Sequence, residues 1–176
     1  MIKKIKFLFT LALIVVLNAC SVSFSLTDGG PNYEQIQSMS ILNFYSKVAS
    51  GPADLSLRFT EELKEFMQQR TKLEIVNTKA DTQLDGFISY YGIKSQGATT
   101  TTTGEEFAAQ NILIIKIKVK YTNFKNPNES FEHEFTSPQD LTYDQSESLS
   151  DVEDDLILDA FNQIEQDIYN KCFSNW

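Results

Sequence analysis

NILIIKIKVKY, residues Asn111–Tyr121, is the stretch from which the fold is read. Ile115, Ile117, Val119 and Tyr121 alternate with Lys116, Lys118 and Lys120, the two-residue period of a β-strand whose faces meet different surroundings. The apolar face requires cover and the lysine face does not. In a chain of formal charge -9 the lysine row has two readings. It is a solvated face that keeps the strand soluble and discourages sheet-to-sheet association, or it touches an anionic partner. In a regular strand the three ammonium groups stand about 7 Å apart along one face, which suits charge-assisted hydrogen bonds to a pair of phosphates.

Working outward, Lys125-Asn126-Pro127-Asn128 is a compact turn, so SFEHEF, Ser130–Phe135, pairs back on the lysine strand as an antiparallel hairpin. On the other side, Gly97 to Gln110 reads as a long polar loop with five consecutive threonines followed by Gly104-Glu105-Glu106. Three further strands precede it: SMSILNFY at Ser38–Tyr45, apolar on both faces; the short LEIV at Leu73–Val76; and LDGFISYYGI at Leu84–Ile93.

Two segments carry the helical period instead. After the break at Gly51-Pro52, residues Leu55, Phe59, Leu63, Phe66 and Met67 recur at spacings of four and three, with Asp54 near the start and Arg70 near the end to suit the dipole. At the C-terminal end, Val152, Leu156, Ala160, Ile164, Ile168 and Cys172 recur every four residues, reinforced by Ile157 and Phe161. Ser150-Asp151-Val152-Glu153 has the pattern of a capping box at its start. The expected fold is a two-layer α+β sandwich, a four-stranded mixed sheet with two helices packed on one face, in the order β-α-β-β-β-β or β-α-β-β-β with a C-terminal helix. That arrangement leaves the other sheet face bare.

The N-terminus belongs to a different category. Lys3, Lys4 and Lys6 precede an apolar run from Phe7 to Leu17, the pattern of a secretory signal. Leu17-Asn18-Ala19-Cys20 resembles a bacterial lipobox, so residues 1–19 are expected to be removed and Cys20 acylated. Residues 20–35 then read as a flexible tether, and residues 36–176 as a single domain. With Cys20 acylated, Cys172 lacks an intramolecular partner and no disulfide framework is available. Removal of the three lysines takes 15 basic residues to 12 against 24 acidic ones, a formal charge of -12. Such a chain is unsuited to nucleic acid or to broad electrostatic adhesion to anionic membrane. Membrane attachment is expected through the acyl chains.

Catalytic signatures are weak. His133 is the only histidine, and strand alternation places it with Phe131 and Phe135 while turning Glu132 and Glu134 away, so it suits a half-buried or edge position better than a zinc site. Histidine-dependent nucleophilic catalysis would rest on that one residue, and neither GxSxG nor a phosphate-cradling glycine loop is present. Glu105-Glu106 lies in the polar loop, without the rigid frame a carboxylate pair needs. The acidic run Asp151–Asp155 fits the positive end of a helix dipole rather than a calcium loop. No catalytic residue, metal site or cofactor is expected.

The ordered features, from the lipobox at Leu17–Cys20 through SMSILNFY, FTEELKEFMQQRTKLEIV, KADTQLDGFISYYGI, NILIIKIKVKYTNFKNP and SFEHEFT to SLSDVEDDLILDAFNQIEQDIYNKCFSNW, resemble the LptE family of lipopolysaccharide-assembly lipoproteins in its divergent Bacteroidetes-type form. The likeness spans Cys20 to Trp176 and rests on order and spacing. It implies an outer-membrane lipoprotein facing the periplasm, seated as a non-catalytic plug in an LptD-like β-barrel and supporting delivery of lipopolysaccharide to the outer leaflet. Under that reading Lys116, Lys118 and Lys120 contact lipopolysaccharide or the barrel wall. The alternative is a lipoprotein activator or scaffold of another envelope machine, such as a peptidoglycan synthase. The stretch SVSFSLTDGGPN that follows Cys20, roughly 12 residues, reaches at most about 40 Å when extended, which favours a partner in the outer membrane.

Overall fold

The computed structural model describes residues 31–100, 106–107 and 109–174. The expected signal peptide, Cys20, Glu105, Asn175-Trp176 and most of the expected tether lie outside the described residues. Among the described residues no helix is long and apolar enough to cross a membrane. The chain enters at Pro31, which is buried, and residues 32–36 form a turn closed by Asn32.

The strands are β1 (Ser38–Ile41), β2 (Tyr45–Ser46), β3 (Glu74–Ile75), β4 (Thr82–Gln96), β5 (Thr99–Thr100), β6 (Glu106–Phe107), β7 (Gln110–Asn123), β8 (Phe131–Thr136) and β9 (Thr142–Asp144); the helices are α1 (Leu55–Arg70) and α2 (Leu149–Phe173). The fold is α+β, with two helices over one face of a mixed sheet. The sheet holds seven strands rather than the expected four, in the order β3-β1-β4-β7-β8, with β2 also on β4 and β9 also on β7. β1 runs parallel to β3 and β4, and the β4–β7 and β7–β8 pairs are antiparallel.

The larger count arises from interruptions that a pattern of residue types does not encode. SMSILNFY is two strands because the register against β4 slips by one residue between Ile41↔Leu84 and Tyr45↔Phe87. At the slip the Phe44 amide donates to the Thr60 hydroxyl, 3.0 Å away on α1, and the Phe44 ring enters the core. The edge beside β7 is likewise shared. β8 ends before Pro138, and the Ser137 hydroxyl accepts from the Ile115 amide at 3.0 Å before β9 resumes the pairing. The polar loop is shorter than expected, since β4 and β7 pair out to Gln96↔Gln110 and β5 and β6 continue the ribbon at Thr99↔Phe107.

Packing follows the two periods. The odd-numbered face of β7, Leu113 to Tyr121, meets Leu55, Phe59, Leu63 and Met67 of α1 and Ile157, Ala160, Phe161, Ile164 and Ile168 of α2 in one core. Edge-to-face rings tie the layers together: Phe44 to Phe59 at 5.1 Å and Phe59 to Phe161 at 5.0 Å. Gly86 makes room for this chain, because a Cβ there would lie 2.6 Å from the Phe44 ring and 2.2 Å from the Lys118 carbonyl oxygen. The helices run parallel, joined by Arg58 to Asp154 near their starts and Arg70 to Gln166 further along.

The expected capping box is not formed. α2 begins at Leu149 with Ser148 in the cap position and no side-chain cap bond, so Ser150 is already within the first turn. The Glu153 carboxylate instead accepts a hydrogen bond from the buried Tyr91 hydroxyl, fastening α2 to the sheet.

Candidate binding face

The face of the sheet that the helices leave bare carries the lysine row. Because β7 alternates strictly, Lys116, Lys118 and Lys120 point away from the core, with Lys116 and Lys118 half-buried and Lys120 exposed. Register places Phe87 opposite Lys118 and Asp85 opposite Lys120 on β4, and Glu134 and Glu132 opposite the same two lysines on β8. The ion pairs form along the diagonals: Lys118 Nζ lies 2.6 Å from Glu132 Oε1, and Lys116 Nζ lies 3.8 Å from Glu134 Oε1. The Glu132 hydrogen bond and charge raise the Lys118 pKa, and Lys118 lowers that of Glu132 for the same reasons. No acidic group lies within ion-pair distance of Lys120 among the described residues.

Ser89 organises one end of the row. The β4–β7 register shifts between Ile88 and Tyr90, leaving Ser89 as the extra residue of a bulge. Its hydroxyl donates to Glu134 Oε2 at 2.8 Å, holding the carboxylate beside Lys116. The same bulge sends Tyr90 to the lysine side and Tyr91 into the core.

Aromatic rings complete the face. Tyr45, 52% exposed, packs against Phe87 with ring centroids 5.4 Å apart, and Lys47 Nζ sits 3.4 Å from the Phe87 centroid. Lys116 Nζ lies 6.0 Å from the Tyr90 ring. A shallow depression of about 170 Å³ opens between Tyr45, Asp85, Phe87, Lys118, Lys120 and Glu132. Four lysines therefore share the face with three carboxylates, and its excess charge is small. It presents alternating charges and flat rings rather than a cationic strip.

The three lysines were expected at this face, and the residues that answer them were not among those expected. Glu132 and Glu134 were legible, since the alternation that groups Phe131 and Phe135 puts both glutamates on the lysine side once the hairpin is paired. Tyr45, Lys47 and Phe87 join the site only through the register slip after β1, which no local signal announces. His133 lies exposed on the edge strand, its ring 4.8 Å from Phe135, beside a shallow hollow shared with Asp167, Asn170 and Lys171. Cys172 is a free thiol at the margin of the core, and burial raises its pKa well above the ordinary range.

Comparisons with known proteins bear on the whole domain. Among solved structures, protein XCC0632 from Xanthomonas campestris aligns with a TM-score of 0.52 at 10% identity, over 80% of this chain and 87% of that one. The hypothetical protein CT253 from Chlamydia trachomatis aligns with a TM-score of 0.50 at 10% identity, over 79% and 99%. At these identities the likeness is one of fold. No curated protein matches the sequence. Residues 36–172, which run from the first core residue to the last turn of α2, match the family described as LptE, lipopolysaccharide-assembly, and the chain belongs to that family.

Proposed function

We propose that the protein is an outer-membrane lipoprotein, acylated at Cys20 and facing the periplasm, that acts without catalysis as the plug and assembly partner of an LptD-like β-barrel in lipopolysaccharide transport. The observation that supports this most is the family match over residues 36–172. The geometry agrees with it in one respect: a solid helical layer covers one sheet face, and the bare face offers charges and rings to a surrounding surface. Lys116, Lys118 and Lys120 are proposed to meet the barrel wall or lipopolysaccharide there. Lys120 is the first candidate for an anionic group, since Glu134 and Glu132 already engage the other two.

Copurification from detergent-solubilised outer membrane tests the role. Recovery of a large β-barrel with the lipoprotein is the expected result, and recovery of the lipoprotein alone overturns it. The face is tested by replacing Lys116, Lys118 and Lys120 together by glutamate, which is expected to lower both complex yield and cell-surface lipopolysaccharide. Unchanged values of both would remove the face from the mechanism.

A further inference from the structure

Glu165 lies on α2 between the core residues Ile164 and Ile168, yet it is only 2% exposed. Its Oε1 is buried without a hydrogen-bond partner among the described residues. No cation of either helix is turned toward it. On α1, Arg58 is held by Asp154, Lys64 by Glu61, and Arg70 by Gln166 and the Phe66 ring. On α2 the sole basic residue, Lys171, lies over the Phe131 ring. The charged groups that do act on Glu165 are Glu62 and Glu65, both from α1. From the sheet, the side chains of the shared core that face the helices are apolar, among them Ile115, Ile117 and Val119.

A buried carboxylate with no partner is costly to ionise, and like charges add to the cost. Burial first, then Glu62 and Glu65, push the Glu165 pKa up to about 8 from its ordinary 4.5. We propose that the contact between α1 and α2 is a proton-dependent clasp: the helices close over Glu165 while it is neutral, and part to admit water when it ionises. Because the folded group binds its proton more tightly than the unfolded one, the closed state is favoured most at low pH. That advantage is lost as pH rises from about 4.5 to 8, and no further change follows above 8.

The test compares amide hydrogen exchange of the full chain with that of Glu165→Gln, a neutral isostere, across pH 5 to 9. Taking the ratio of the two proteins at each pH removes the intrinsic pH dependence of exchange. Amides of Glu61–Met67 and Ile164–Ile168 in the parent protein should open relative to the variant by up to about tenfold per pH unit, levelling near pH 8. In Glu62→Gln/Glu65→Gln the levelling should move to lower pH, because two repelling charges are gone. A ratio that stays constant with pH overturns the clasp. So does a change of equal size at the β7 amides, which would mean global unfolding rather than parting of the helices.

Discussion

Lys118 Nζ lies 2.6 Å from Glu132 Oε1, so the middle lysine of the row is answered from the neighbouring strand. If the alternation of charge on this face matters to a partner, Lys118→Glu should lower barrel recovery severalfold, and the exchange Lys118→Glu/Glu132→Lys should restore most of it. Lys120→Glu should cost more recovery than Lys116→Glu, since Lys116 is already engaged by Glu134 at 3.8 Å. Equal losses for the two single variants would argue against a special position for Lys120.

Gly86 has no room for a side chain. A methyl group there meets the Lys118 carbonyl oxygen at 2.2 Å and the Phe44 ring at 2.6 Å, and the oxygen belongs to backbone that the ladder holds in place. Gly86→Ala is expected to destabilise the fold by about 3 kcal/mol through overpacking. Urea unfolding of the two proteins measures this directly.

Asp81 joins three segments. Its Oδ2 accepts from the Gln37 amide at 2.9 Å and from the Ser38 amide at 3.1 Å, while Oδ1 lies 3.1 Å from Lys125 Nζ. These bonds, the Gln37 amide foremost and then Lys125, hold its pKa at about 2 against an ordinary 3.8. The folded carboxyl binds its proton more weakly than the unfolded one, so this stabilisation is present above about pH 4 and drains away between 4 and 2. Asp81→Asn should cost about 1 kcal/mol at pH 7, discounted for the exposed ion pair. Thermal melts of the variant should flatten over that acid window.

Tyr91 stands between the sheet and the start of α2. Its hydroxyl donates to Glu153, and Gly51, at φ +88°, passes beneath its ring. Tyr91→Phe should cost about 1.5 to 3 kcal/mol, the range for a hydrogen bond to a charged group. Gly51→Ala should cost about 1 kcal/mol or more, combining left-handed strain with a Cβ only 2.9 Å from the ring. Urea unfolding resolves both, and a neutral Gly51→Ala would show that the Tyr91 ring yields without cost.

Much of this fold was written in local pattern. The alternation Ile115, Ile117, Val119 against Lys116, Lys118, Lys120 placed β7 and its bare face, and the four-residue recurrence from Val152 to Cys172 placed α2. Boundaries set by long-range bonds were not legible. β1 and β2 are separate because Phe44 gives its amide to Thr60, a side chain 16 residues away on another element. The capping box at Ser150 is not formed because the helix starts earlier, with Ser148 in the cap position, and Glu153, set beyond the first turn, is bonded to Tyr91 from a distant strand. The site was half legible for the same reason: the lysines alternate along one strand, whereas the groups that balance and flank them come from β2, β4 and β8.

The pairing of β1 with β4 joins Met39 to Thr82, whereas β7 meets β8 across the turn at Pro127–Glu129. Contacts between sequence neighbours close small loops and form early, while the parallel pairing must wait until a much longer loop has closed. A chain that emerges N-terminus first therefore exposes the apolar β1 and α1 before the strand that shelters them has appeared. α2, which follows every one of these strands in the chain, supplies Phe161 and Ile164 to the same core. Completion of this core thus depends on α2, and a truncation within it is expected to leave a chain that has made its hairpins and cannot close over them.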